Sequence, residues 1–344
     1  MALNNLAVIP PGTQAFYDRN LLERAVPADV HGKFGQIRPI KTRNGNQIKF
    51  RRYEALTVST APLVEGVTPS GSSLSITDAT STLGQYGDYV TITDMVDLTN
   101  QDPVLTEAGM VLGEQAGTSI DHVRRDVLNA GTNVIYGTGV ARTSQNVVLG
   151  TVHLRTAIRF LNRQNAKFVK KMIKSSTGVG TAPIRAAYIG IIHPDTEAQM
   201  ETLSGYIPVS EYSQAMQAEE NEVGSYKNIR FFVSTNAKVF GHAGLAVGAD
   251  GMISDDATNN DVYSTLIIAD NAYGIVPLSG KALQNIVKAL GSAGTADALD
   301  QRATSGWKAI TTTKILNESW IVRIEHTNLR SEERRVGKEC RSRW

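Results

Sequence analysis

Apolar residues recur at helical spacing over one long stretch of this 344-residue chain. Val104, Leu105, Ala108, Val111, Leu112, Ala116, Ile120, Val123 and Val127 form a single stripe that ends near Gly131. Asp102 and Pro103 stand just ahead of it. The first can cap free N–H groups and the second suits the first helical position, so the pattern predicts a helix over 102–131. Within it Gly109, Gly113 and Gly117 fall every fourth residue. A helical glycine costs roughly 1 kcal/mol relative to alanine, which points to a compensating use: a smooth ridge against which another backbone packs closely.

Elsewhere the period is two. "DYVTITDMVDL" (88–98) alternates as a half-buried ribbon does. With 53–60 and 72–81 it predicts a long excursion of two or three strands, too polar to be a core. Residues 1–45 are punctuated by Gly, Pro and polar side chains, with one short helical piece at 15–25, and read as an extended arm. A second helix is expected over 154–174, a loop at 175–183 and a buried strand at 184–193. A third helix follows, with Thr196 and Gln199 at capping-box spacing. Further strands are expected at 229–236, 263–270, 307–313 and 319–327. Strands and helices do not alternate regularly, so the fold class is α+β with a mixed sheet rather than a doubly wound one.

Charge is segregated along the first third. Lys33, Arg38, Lys41, Arg43, Lys49, Arg51 and Arg52 occur between Lys33 and Tyr53 without one acid. From Glu54 to Val123 there are ten acids, among them Glu65, Asp88, Asp94 and Asp97, and no Lys or Arg. Such opposite blocks suit a subunit whose arm lies on a neighbour's acidic loop, with complementary charge setting the register between copies. Assembly is then expected to be salt-sensitive and to be impaired when Arg51 and Arg52 are reversed to Glu. The aromatic residues Phe34, Phe50 and Tyr53 also give the basic block the look of a nucleic-acid segment. The adjoining acids and a near-zero overall charge argue against that as its main use.

Catalytic chemistry is hard to find. His31, His122, His153, His193, His242 and His326 are scattered without metal-ligand spacing, and neither H-E-x-x-H nor G-x-S-x-G occurs. "GIVPLSGKA" (274–282) fails as a phosphate loop: its spacing is wrong and Ala282 replaces the magnesium-binding hydroxyl. His193-Pro194-Asp195 reads as a turn, and "DDATNND" (255–261) as a solvated loop. No catalytic, cofactor-binding or metal-ligating residue is therefore expected. The longest central apolar run, "AAYIGII", is far short of the roughly 20 residues of a membrane span, and the N-terminus lacks a secretory signal, so intracellular synthesis is expected.

Several long motifs carry a family resemblance. "FYDRNLLERAVPADVHGKFGQIRPIKTRNGNQIKFRRYEAL" (16–56), "PLVEGVTPSG" (62–71), "LGQYGDYVTITDMVDLT" (83–99), "NEVGSYKNIRFFVSTN" (221–236) and "WKAITTTKILNESWIVRIEHTN" (307–328) resemble the major capsid proteins of coliphage N-four and its relatives. These are tailed-phage proteins of the Hong Kong 97-like capsid fold. The resemblance implies an N-terminal arm (1–53), an extended β-loop (54–98), a peripheral domain with a long spine helix (99–184), an axial domain (185–300) and a return to the peripheral domain (301–329).

It also implies pentamers and hexamers forming an icosahedral virion shell, made in the bacterial host cytoplasm, around double-stranded DNA held non-specifically at the inner face. Separate scaffold and portal proteins, noncovalent assembly and no membrane contact go with it. On this view Arg38, Lys49, Arg51, Arg52, Glu65, Asp88, Asp94 and Asp97 meet across subunits, and the glycine ridge packs the spine helix. An encapsulin-like compartment shell is the nearer alternative, and an uncharacterised hydrolase the one from another class.

The resemblance ends near Asn328. Residues 330–344, "RSEERRVGKECRSRW", hold six basic residues, three glutamates and Cys340, the one cysteine. They contribute +3 to a chain whose formal charge is +2, leaving −1 for the rest. A nucleotide string encoding them resembles a common sequencing adapter, so they are read as translated adapter rather than native chain.

Overall fold

The computed structural model describes residues 29–330 apart from 69, 100–103, 171–185, 213–220, 248–250, 293–296 and 298. In chain order come strands β1 (Gln36–Ile37), β2 (Gln47–Tyr53), β3 (Ile76–Thr82) and β4 (Gly84–Thr93), then helices α1 (Asp94–Thr99) and α2 (Val104–Asn129). Next are β5 (Val134–Tyr136), α3 (Thr151–Arg163), β6 (Tyr188–Ile192), α4 (Glu197–Glu201), β7 (Tyr206–Pro208), β8 (Glu222–Tyr226), β9 (Ile229–Val233) and β10 (Val239–Phe240). The remainder is β11 (Val262–Ile268), β12 (Tyr273–Pro277), β13 (Leu283–Lys288), β14 (Arg302–Ile315) and β15 (Ile321–His326).

The larger sheet runs β5-β15-β11-β6-β9-β8-β7, with β10 beside β11. It is mixed, as expected: β5 with β15 and β6 with β9 are parallel, the other pairs antiparallel. Every residue of β6, β11 and β15 is buried, because both faces are covered. Leu154, Ala157 and Leu161 of α3 pack on one face against Tyr188, Ile192, Phe231 and Ile267. On the other face Val30, Phe34 and Leu128 meet Ile189, Ile191, Phe232 and Leu266, so alternate residues of β6 serve opposite cores.

The second sheet is organised by the fourteen-residue β14. β4 pairs along one edge of it, β13 and β12 along the other, and β1 adds parallel to β12. α2 lies against this sheet through Leu112, Ala116 and Ile120, which meet Trp307 and Ala309. The β4–β14 approach is close. A Cβ on Gly306 would stand 2.9 Å from the Asp88 carbonyl, and one on Gly87 2.6 Å from that of Trp307.

β2 and β3 form a separate antiparallel hairpin, joined by residues 54–75, of which the described ones lie outside helices and strands. Its base is seated on the second sheet. Phe50 lies over Gly274, where a Cβ would stand 2.7 Å from the ring, and the Ser81 and Thr312 hydroxyls are 2.8 Å apart. The excursion is thus placed differently from the expectation. Its outgoing strand is 47–53 rather than 53–60, β4 leaves it to pair with β14, and 94–99 is helical.

The long helix agrees with its apolar stripe. The second helix ends at Arg163 instead of 174, because Asn165 takes a left-handed conformation (φ 52°) and the Ala166 N–H turns back to the Leu161 carbonyl at 3.0 Å. Thr196 makes no capping bond. His193 Nδ1 accepts from the Asp195 N–H (3.3 Å) to start a 3-10 turn there, as the turn reading of His193-Pro194-Asp195 expected. The expected helix at 15–25, the Asp102–Pro103 cap, the loop at 175–183 and the chain beyond 330 lie outside the described residues. Strands on both sides of residue 300 share each sheet: β12 and β13 with β14, and β11 with β15.

Candidate assembly surfaces

The β2–β3 hairpin brings the basic and acidic blocks together within one chain. Register sets Arg51 opposite Asp78, and the pair is bidentate: Nε to Oδ1 at 3.0 Å and Nη2 to Oδ2 at 3.2 Å. Arg52 Nη2 and Thr77 Oγ1 each donate to Glu54 Oε1 at 2.7 Å. These bonds hold both carboxyls below their usual range, Asp78 through Arg51 and Glu54 through Thr77 and then Arg52.

Two more of the acids named from sequence are engaged locally. Asp88 accepts from Gln115 (2.6 Å) and from the Tyr89 N–H (2.8 Å), which lowers its pKa in that order of effect. Asp94 accepts from the Met95 N–H at 2.8 Å. Arg38, Lys49 and Glu65 are exposed and form no ion pair among the described residues. The Asp97 side chain lies outside them.

The same excursion carries a set of exposed apolar side chains. Tyr53, Leu56, Val58, Leu63, Val64, Val67, Leu74 and Ile76 are between 48% and 87% exposed. So many exposed large apolar side chains within one short segment mark an interaction surface. The hydrophobic pattern had marked this segment as no core, and its apolar residues were the signal that it needs a cover.

Gly109, Gly113 and Gly117 are all buried along α2. At Gly109 a Cβ would meet nothing within 4 Å among the described residues. The contact of α2 with β14 runs instead through its larger residues.

Two buried polar networks tie the regions together. Asp121 accepts from the His31 N–H at 2.8 Å and from Asn236 Nδ2 at 3.0 Å, and His31 Nδ1 lies 2.9 Å away. Burial would raise the Asp121 pKa, but these partners hold it below the usual carboxylate range. Glu325, fully buried, receives Arg142 Nε and Nη2 at 2.8 and 2.7 Å and has Arg323 Nε at 2.9 Å. Arg323 donates in turn to the carbonyls of Asn129 and Gly131 at the end of α2. Sequence reasoning passed over both networks because their members are far apart in the chain.

Among the described residues no group of His, Cys, Asp or Glu is placed to hold a metal ion, and no helix is long and apolar enough to cross a membrane.

Residues 77–255 match a family model described as phage capsid protein. No curated protein matches the chain. Among solved structures the fold is similar to the capsid of Ralstonia phage GP4, with a TM-score of 0.61 at 12% identity over 86% of this chain and 87% of that one. It is also similar to the Cyanophage Pam1 capsid (TM-score 0.58, 12% identity, 86% and 92% covered). A third likeness is to the head of Helicobacter pylori bacteriophage KHP40 (0.57, 14%, 86% and 87%).

Proposed function

The chain belongs to the phage capsid protein family, and we propose on that premise that it is the major subunit of the icosahedral head of a tailed, double-stranded DNA phage. Its fold is the Hong Kong 97-like fold of phage capsids. The observation that carries the shell reading is the row of exposed apolar side chains from Tyr53 to Ile76. Copies of the same chain, arranged as pentamers and hexamers, provide the cover these residues lack.

In this reading 1–53 is the arm, 54–98 the extended loop, 99–184 the peripheral domain, 185–300 the axial domain and 301–329 the return. The pairing of β2 with β3 supports a loop whose stem takes in the last residues of the arm. Arg38, Lys49 and Glu65, free of ion pairs within the described chain, are the charges best placed to meet a neighbour. Arg51, Arg52, Asp88 and Asp94 serve the hairpin and β4 first. The glycine ridge at Gly109, Gly113 and Gly117 is a surface for another subunit's backbone.

The long motifs support the N-four type within the family. Scaffold and portal are separate proteins, DNA fills the interior, and the subunit is made in the host cytoplasm. Replacing residues 56–74 with a short Gly-Ser linker tests the reading by negative-stain imaging of the expressed protein with a scaffold. The linker variant is expected to stay folded and form no shells, whereas shells of wild-type size from it would refute the loop's role.

A further inference from the structure

Residues 127–194 contain nine lysines and arginines and no aspartate or glutamate. Part of that charge is gathered on one surface. Arg155, Arg159 and Arg163 stand four residues apart along the outer side of α3, while Leu154, Ala157 and Leu161 face the sheet. Lys227, in the turn between β8 and β9, joins them around a shallow groove of about 610 Å³ that Ile158 and Asn162 also line.

All four cations are exposed, and none forms an ion pair among the described residues. Arg155 Nε donates to the Tyr226 hydroxyl at 3.2 Å, which fixes the near end of the row. Like charges four residues apart destabilise a helix, and no acid on the same helix offsets them. Among the described residues the row is therefore open to an anion from outside.

The acidic block of another copy fits less well. Glu54, Asp78 and Asp88 are hydrogen-bonded within their own chain and Asp121 is buried against His31, which leaves isolated acids such as Glu65 rather than a row to match the arginines. Duplex nucleic acid fits better, since it presents a charge about every 1.7 Å of its axis and guanidinium groups pair with phosphate bidentately. Residues four apart rise by about 6 Å along a helix, so one row can engage successive phosphates. The groove offers no aromatic ring free for base stacking, which leaves a contact to backbone alone.

We propose that the Arg155, Arg159, Arg163 and Lys227 face is a sequence-independent binding surface for duplex phosphate. The proposal rests on the capsid reading for its source of duplex, the packaged genome, and sets this face toward the shell interior.

The test uses the unassembled full-length chain, a mixed-sequence 20-base-pair duplex and fluorescence anisotropy at several salt concentrations. Four phosphate contacts give a slope of log affinity against log salt of about −3.6, and R155Q/R159Q/R163Q makes it shallower by about 2.7. The corresponding triple Lys variant keeps the wild-type slope. If the Gln variant does not fold, K227Q alone is expected to reduce the slope by about 0.9.

An unchanged slope in the folded Gln variant overturns the proposal. So does loss of shells with DNA binding intact, which would give the face to a neighbouring subunit. Assembly reactions run on the same chains with a scaffold and imaged by negative stain keep the capsid reading separate: absence of wild-type shells there would count against that reading, whatever the anisotropy gives.

Discussion

Replacing Glu325 with Gln removes one charge from the centre of the molecule and leaves its shape unchanged. In the wild-type chain both carboxylate oxygens are taken by Arg142, and Arg323 Nε sits 2.9 Å from one of them, with the Glu325 side chain fully buried. The variant leaves two guanidinium groups without their counter-charge. Breaking a buried ion pair on one side costs roughly 3–5 kcal/mol.

Arg142 is a third exposed and can turn toward water, whereas Arg323 is 10% exposed and fixed by the end of α2. The lower end of that range, about 3 kcal/mol, is therefore expected. Urea unfolding of the unassembled chain, followed by far-UV circular dichroism, measures it. Adding R142Q to the variant should restore part of the loss, because it removes one of the stranded charges. A Glu325→Gln chain within about 0.5 kcal/mol of wild type would refute the idea that this network holds α2 to the large sheet.

Other outcomes follow from the same structure. Burial lowers His326 to a pKa of about 4, against about 6.5 when unfolded. Its contribution is thus complete above pH 6.5 and lost as pH falls toward 4. His326→Gln should flatten the stability–pH curve in that window, by an amount on the order of a few kcal/mol near pH 4, and a parallel curve would contradict the assignment. Arg51→Asp should leave the thermal midpoint of the unassembled chain nearly unchanged, since the pair is exposed and screened by solvent. If the pair acts within its hairpin, the swap R51D/D78R restores shell yield by light scattering; if Arg51 acts across subunits, the swap does not. Gly306→Ala should cost about 1–3 kcal/mol by pushing β4 from β14, and a wild-type thermal midpoint would show that the strands give way.

What was legible in the sequence follows from how each element is buried. α2 could be read because its apolar stripe repeats for seven turns, and β6, β11 and β15 because strands covered on both faces are apolar runs. The turn to strand pattern at Gln47 could be read, but the bounds of β2 could not, since only Ile48 and Phe50 are half-buried in it and most of its residues carry no burial signal. The end of α3 depends on one left-handed residue, Asn165, which apolar spacing does not mark. The charge blocks were visible, yet the partner of each charge was not. The match of Arg51 to Asp78 is decided by hairpin register, and the groups around Glu325 meet only when the sheet forms. The arginine row of α3 was readable as an acid-free stretch but spoke for itself only once Lys227 stood beside it.

The central claim is that the exposed loop of one subunit is covered by the next. A cryo-electron-microscopy reconstruction of assembled particles tests it most directly. The account predicts Val58, Leu63, Val64 and Val67 buried against a neighbouring copy at every quasi-equivalent position; a shell in which they remain in solvent would contradict it.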